Sequence, residues 1–171
     1  MINEKIEKAL NAQLNKEFFS SCLYLSMSSY FESKNLTGMS AWMKIQANEE
    51  HLHAMKFYAY IIQKGGRAIL GAIEAPANNW KSALDAFEET YTHEKFITAS
   101  IDGLVNLSLE VKDHATNNFL QWFVTEQVEE EANVTKIIDD LKMIGENSYG
   151  IFMLDRELGT RQPAPPTPAA A

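Results

Sequence analysis

The sequence predicts an all-α chain: a four-helix bundle with one long crossover and a short C-terminal fifth helix. Three observations carry this expectation. Apolar residues recur at spacings of three and four through four long segments. Short joints link the first segment to the second and the third to the fourth, so each pair reads as an antiparallel hairpin. The remaining joint, 65–81, can span about 50 Å when extended, against roughly 40 Å for the second helix. It is long enough to run the length of the bundle and leave helices two and three parallel.

Each element has its own start and stop. The first helix is expected over 4–33, ending where Ser33-Lys34-Asn35-Leu36-Thr37-Gly38 breaks the pattern. The second covers 38–64, with Thr37 as N-cap and Gly65-Gly66 as the stop. Gly71, Pro76, Asn78 and Asn79 mark the crossover as irregular. The third helix starts near Ser82, where Ser-Ala-Leu-Asp resembles a capping box, and ends near 109. Asp113 is the N-cap expected for the fourth, which stops at Gly145. A fifth, 147–158, carries an apolar patch at Ile151, Phe152 and Leu154. Residues 1–160 are thus read as one domain, and 161–171 as a disordered Pro/Ala-rich tail.

Composition narrows the function. A net charge of −8 disfavours nucleic acid and anionic membranes as partners and suits small cations. One cysteine, Cys22, excludes an intrachain disulfide and any Cys-based metal cluster, which fits a reducing cytosol. The charged, mixed start has no apolar signal core, and no apolar run approaches the roughly 20 residues that span a bilayer. A cytoplasmic chain with no membrane partner is expected.

The core seams carry the chemistry. Helix one reads Ile6, Leu10, Gln13, Glu17, Ser20, Tyr24, Met27, Phe31, and helix two Met39, Met43, Gln46, Glu50, His53, Phe57, Tyr60. Helix three reads Leu84, Phe87, Tyr91, Glu94, Thr98, Ile101, Val105. Helix four reads Leu120, Phe123, Gln127, Glu130, Val134, Ile137, Leu141. Every seam is interrupted near its middle by a carboxylate. The acidic run Thr125-Glu126-Gln127-Val128-Glu129-Glu130-Glu131 is therefore mixed: Gln127 and Glu130 face inward, Glu126 and Glu129 flank them, and Glu131 faces water. Glu17 and Glu50 lie about 19 and 14 residues from the first turn, Glu94 and Glu130 about 16 and 20 from the second. That mismatch is only about 6–8 Å along the bundle. The spacing from Glu17 to Glu50 equals that from Glu94 to Gln127, 33 residues, so the two hairpins echo each other.

Ionised carboxylates in a low-dielectric core repel, and desolvating each costs several kcal/mol. Protonation, paired Arg or Lys, or a metal relieves this, and no seam supplies a cation near the acidic layer. An inward Glu from each of two helices with Glu-x-x-His from the others is the di-iron carboxylate arrangement. Glu50-His51-Leu52-His53 supplies one such motif; Gln127-Val128-Glu129-Glu130 replaces the other. Two three-ligand sites of unequal strength are expected, with Glu50 and Glu130 as bridging carboxylates. Oxygen-rich ligation with one imidazole suits iron or manganese better than structural zinc. Tyr24, two turns from Glu17, faces the same layer and is placed to give an electron to an oxidised metal pair. His51, His93 and His114 have no seam partners and read as surface or structural, and Cys22 as a small buried apolar residue.

With these motifs in view the chain resembles a ferritin of the bacterial non-haem type over residues 1–160. The resemblance lies in Asn15-Lys16-Glu17 with Tyr24, Asn48-Glu49-Glu50-His51-Leu52-His53, Tyr91-Thr92-His93-Glu94, and Leu120 through Glu131. It implies the ferritin-like fold, a homo-24-mer shell, and oxidation of two Fe(II) ions per chain by dioxygen or hydrogen peroxide, with ferric oxide-hydroxide deposited inside. By position it implies one iron at Glu17, Glu50 and His53, and another at Glu94, Glu130 and Gln127, with Glu50 bridging. Glu49, Glu126 and Glu129, with Glu130, match a third iron site, and Tyr24 a redox tyrosine. The segment 147–158 matches a helix around the shell's fourfold axis.

Departures separate the chain from its neighbours in that group. Bacterioferritins carry two Glu-x-x-His motifs and a haem-ligating Met where this chain has Leu52, so no haem is expected. Rubrerythrins add a four-Cys domain, which one cysteine excludes, and DNA-protecting mini-ferritins build their site between subunits. Two alternatives stay open: an oxidase with permanently bound iron or manganese acting on an organic substrate, and a metal-free helical scaffold.

Overall fold

A computed structural model describes residues 2–163; residues 164–171 of the Pro/Ala-rich tail lie outside the described residues. The helices are α1 (Glu4–Ser33), α2 (Thr37–Gln63), α3 (Ala83–Glu110), α4 (His114–Ile144) and α5 (Ser148–Leu158). There is no strand among the described residues, and no helix is long and apolar enough to cross a membrane. The all-α bundle with a short fifth helix is the fold expected.

The contacts fix the topology. Along α1, Gln13 meets Ser100, Tyr24 meets Glu94, and Met27 meets Thr90, so α3 runs antiparallel to α1. Between α2 and α4, Gln46 bonds Glu130 and Tyr60 bonds Thr116, again antiparallel. With each hairpin antiparallel, α2 and α3 are parallel, and the crossover must travel the bundle. It does so along α1. Arg67 N donates to Glu7 Oε1, Ile69 N to Asn11 Oδ1 and Gly71 N to Asn15 Oδ1, each at 2.6–2.7 Å. Further on, Ser26 Oγ donates to Ala77 O at 2.6 Å, and Trp80 packs edge-on to Tyr30. Side chains one turn apart on α1 thus satisfy the irregular backbone that the crossover would otherwise leave unpaired.

Of the three expected caps, those of α3 and α4 hold and that of α2 fails; α5 adds one that was not expected. Asp113 accepts from Thr116 N and Thr116 Oγ1, and Lys64 Nζ reaches it at 3.0 Å, tying the end of α2 to the start of α4. Ser82 accepts from Asp85 N, while Asp85 returns the bond to Lys81 N, one residue outside a strict capping box. Asn147 caps α5 through Gly150 N. Thr37, by contrast, is the first helical residue of α2 and makes no cap bond. The orphan amide of Met39 is satisfied instead by Asp155 Oδ1 of α5 at 2.8 Å, a carboxylate favoured at a helix N-terminus. Gly38 permits this approach: a Cβ there would lie 1.6 Å from the Asp155 carbonyl oxygen.

The inward row of α3 also differs from the expected seam. Phe87, Thr90, Glu94, Ile97, Ile101, Leu104 and Ser108 are turned in, whereas Leu84, Tyr91, Thr98 and Val105 are only half-buried. The two rows share Phe87, Glu94 and Ile101, and both flanks of that line hold apolar residues. Periodicity cannot choose between them. The neighbour does: Thr90 Oγ1 donates to Met27 Sδ of α1 at 3.2 Å, which commits the helix to that side. Seams one and four are buried throughout, and seam two to all but Tyr60, which is half-buried.

Two apolar clusters result. One gathers Tyr24, Met27, Phe31, Met43, Phe87 and Val134 with their neighbours; the other gathers Leu10, Leu14, Phe57, Ile97, Leu120 and Phe123 with theirs. Burying each large side chain contributes about 1.5–3 kcal/mol. The two clusters clamp all four helices on either side of a polar waist.

Candidate metal centre

The waist is built of Gln13, Glu17, Gln46, Glu50, His53, Glu94, Gln127 and Glu130, every one buried. Helical spacing places Glu17 beneath Gln13 and Glu50 beneath Gln46, four residues apart on one face. Gln13 Nε2 donates to Glu17 Oε1 at 2.7 Å, and Gln46 Nε2 to Glu50 Oε1 at 3.2 Å and Glu130 Oε2 at 2.7 Å.

Glu17, Glu50 and His53 converge, each offering a ligand atom within 4.8 Å of the others. His53 Nδ1 lies 3.5 Å from Glu50 Oε2, and its ring is held edge-on by Trp122 and Phe123. Glu17 Oε2 is buried without a hydrogen-bond partner. Burial, and then the charge of Glu50, push the Glu17 carboxyl well above its usual range. Glu50 is raised by burial and then by Glu94, and Glu130 by burial and then by Glu50 and Glu94. These acids share one desolvated space and cannot all ionise without a cation. An orphaned carboxylate oxygen, a second carboxylate and an imidazole fit a hard or borderline divalent ion.

The second expected triad is arranged differently. Glu94, raised by burial, accepts from the Tyr24 hydroxyl in a short hydrogen bond and from Gln127 Nε2 at 3.1 Å. Gln127 also reaches Glu94 O and Thr98 Oγ1, both at 3.3 Å. Glu130 turns toward Gln46 and forms its own grouping with His53 and Glu126. His53 therefore stands between two possible cation positions. Tyr24 is fully buried, and burial followed by the charge of Glu94 raises its phenol well above the usual value.

Of the flanking acids, Glu49 and Glu126 are half-buried and Glu129 is exposed. Glu126 is raised by burial and feels the charges of both Glu129 and Glu49, so the three share one neighbourhood. Glu131 is half-buried and accepts from Thr98 Oγ1 at 2.6 Å. His51 and His114 are exposed. His93 is half-buried, bonded to Ser20 Oγ at 2.8 Å, and lowered by burial to about 4, so it is neutral at pH 7. Cys22 is only partly buried.

Four residues bearing on the site were not among the expected ligands: Gln13, Gln46, Ser100 and Arg161. Ser100 Oγ donates to Gln13 Oε1 at 2.5 Å and accepts from Lys16 Nζ at 2.6 Å. Arg161 Nη1 donates to Gln46 Oε1 at 2.9 Å, and Nη2 to Glu49 Oε2 at 2.5 Å. Each outer donor fixes which end of the glutamine amide faces the carboxylates. Gln-x-x-x-Glu, occurring twice with the same 33-residue offset as the acids, was the available signal for the glutamines. Nothing local marked Ser100 or Arg161.

A family model described as a ferritin-like domain matches residues 7–144. The bacterial non-heme ferritin of Campylobacter jejuni is 44% identical over 156 residues, covering 91% of this chain and 93% of the relative. That of Bacteroides fragilis is 44% identical over 161 residues, 94% of this chain and 100% of the relative. Among solved structures, an open pore ferritin from the archaeon Archaeoglobus fulgidus matches with a TM-score of 0.94 at 49% identity, covering 95% of this chain and 99% of the other.

Proposed function

The chain belongs to the ferritin family, and from that premise we propose that it is an iron-storing ferroxidase that oxidises Fe(II) at a two-iron carboxylate centre. The observation that carries this reading is the convergence of Glu17, Glu50 and His53 around a buried carboxylate oxygen with no partner. In this reading Glu17, Glu50 and His53 take one Fe(II), and Glu94, Glu130 and Gln127 take the other, with Glu50 shared. Glu49, Glu126 and Glu129, with Glu130, form an outer third position. Each Fe(II) gives up one electron, dioxygen or hydrogen peroxide accepts the pair, and the ferric product hydrolyses to oxide-hydroxide with release of protons. Carboxylates suit this task because they bind Fe(III) more strongly than Fe(II) by charge, and so favour the oxidised state. A neutral Gln127 makes the second position the weaker one, which suits iron that passes through rather than stays.

Tyr24 has a defined part. Its raised phenol stays protonated at neutral pH, and its hydrogen bond to Glu94 gives the proton a place to go if the ring yields an electron. Assembly into a 24-subunit shell is supported by apolar side chains at helical spacing on the outer face of α2. Leu52, Met55 and Ile62 are 48%, 40% and 49% exposed, and Ile69 and Leu70 of the crossover 55% and 62%. Patches of this kind mark interfaces.

Iron retained per chain tests the reading. Excess Fe(II) is added in air to the metal-free protein, which is passed over a native size-exclusion column with iron and protein assayed together. Iron far beyond the two or three ions of the centre, co-eluting with a large assembly, is expected. About two irons per chain on a small oligomer would instead identify a bound-metal oxidase, and none would remove metal chemistry altogether.

A further inference from the structure

The acidic waist has a cation of its own, delivered from the far end of the chain. Past α5, Arg161 folds back along α2 and lies over the Trp42 ring, 4.4 Å from its centroid. Its guanidinium donates to Gln46 Oε1 and Glu49 Oε2, and reaches Trp42 O at 3.5 Å. The contact is sheltered: the Arg161 and Glu49 side chains are 19% and 13% exposed. The backbone beneath is clamped, because Asp155 caps the start of α2 and Gly159 lies so near Gly38 that a Cβ on it would come within 3.2 Å of the Gly38 Cα. A planar donor fork stacked on an aromatic ring and paired to a carboxylate is a favoured setting for arginine.

Two consequences meet in that one residue. Glu49 is one of the outer acids, and Arg161 already engages its Oε2, so an ion that uses that oxygen meets the guanidinium first. And because Nη1 occupies Gln46 Oε1, the amide of Gln46 is obliged to present Nε2 to Glu50 and Glu130 together.

We propose that Arg161 is a resident counter-cation of the outer carboxylates: it holds Glu49 and orients Gln46 in the metal-free protein, and a divalent ion must displace it to bind at Glu49. This rests on reading Glu49, Glu126 and Glu129 as an outer cation position. Arg161 is a positioning residue that sets the order of filling: the inner pair first, the outer position only when the guanidinium swings away. The charge is the active feature, since an ammonium at the same place also competes with an incoming dication.

Calorimetric titration of the assembled, metal-free full chain with Zn(II), which is redox-inert, tests this. The parent protein is expected to bind two ions tightly and a third more weakly. Arg161→Gln is expected to tighten the third on the order of tenfold, about 1.4 kcal/mol. Arg161→Met keeps the aliphatic stem over Trp42 and should match it, so an effect of lost packing is separated from lost charge. Arg161→Lys should stay within about threefold of the parent. Glu49→Gln should weaken the third ion and erase the difference between the Arg161 variants. Thermal unfolding confirms that each variant is assembled. A third ion whose affinity is unmoved, or weakened, in both neutral variants would overturn the role of Arg161 while leaving the outer position intact. No third ion in any form, with Glu49→Gln indistinguishable from the parent, would overturn the outer position and the proposal with it.

Discussion

The two halves of the waist are built from the same spacing and end in different states. Around Glu17, Glu50 and His53, ligand atoms converge and one buried oxygen has no partner. Around Glu94, the carboxylate is already engaged by the Tyr24 hydroxyl and by Gln127. The first half is open to a cation; the second is held closed by internal hydrogen bonds. Relative to the first hairpin, Gln stands for Glu at 127 and Glu for His at 130, and Gln127 is one of the two groups that close Glu94. A glutamine amide donates where a carboxylate can only accept, so it satisfies Glu94 instead of competing with it for metal. In the proposed reading, one firm and one yielding position suit iron that binds and then moves on.

The comparison should break most severely at Glu50, the residue proposed to serve both halves. Glu50→Ala is expected to slow rapid Fe(II) oxidation by about a hundredfold or more, since ligand loss exceeds the 10–100-fold typical of mere supporting partners. Stopped-flow absorbance checks this, and oxidation at the parent rate would mean the centre is elsewhere. Next in size, Gln127→Glu combined with Glu130→His should restore the second Glu-x-x-His and bring the two inner affinities together. An increase of about tenfold in the weaker Zn(II) constant is expected by calorimetry, a change of about 1.4 kcal/mol. If the two constants stay as far apart as in the parent, the asymmetry does not come from these two positions.

A third test concerns the metal-free protein. Glu17, Glu50, Glu94 and Glu130 all titrate above the ordinary 4.5 when folded, because burial disfavours their charged forms. Above about pH 4.5 the unfolded chain releases protons that the folded one keeps, so folding is increasingly opposed as pH rises toward neutrality. The sign is therefore a stability lost with rising pH and regained when a dication replaces the protons. Compared with Glu50→Gln, the metal-free parent should lose more apparent Tm between pH 5 and pH 7, at about 2–4 °C for each kcal/mol, and Zn(II) should recover it. Parallel profiles for the two proteins would show that Glu50 carries no such penalty. The smallest effect is expected from Tyr24→Phe. It frees Glu94 of one bond, leaves both inner ions bound, and should slow repeated turnover by a few-fold while sparing the first oxidation. Stopped-flow kinetics over successive Fe(II) additions separate the two.

Much of this was legible in the chain. The helices began and stopped within a residue or two of their expected bounds, because caps and glycines act locally. The mid-seam carboxylates were legible because an acid in an apolar row is a violation that periodicity exposes. The inward row of α3 was not, since two adjacent rows had equal claims until α1 packed against one. Nor was the cap of α2, where Thr37 offered a hydroxyl but Asp155, over a hundred residues away, supplied a carboxylate.

What the sequence by itself determined was the set of four amphipathic helices, their connection by one long crossover, and the kind of ligand each brings to the middle of the bundle. Those follow from spacing and side-chain chemistry, which are properties of neighbouring residues. Only the tertiary structure decided which carboxylate oxygen was left open, which was closed by Tyr24, and that Arg161 would return to Glu49. The reason is physical: partners separated by 70 or 112 positions are chosen by packing, which brings together charges and donors that no local pattern relates.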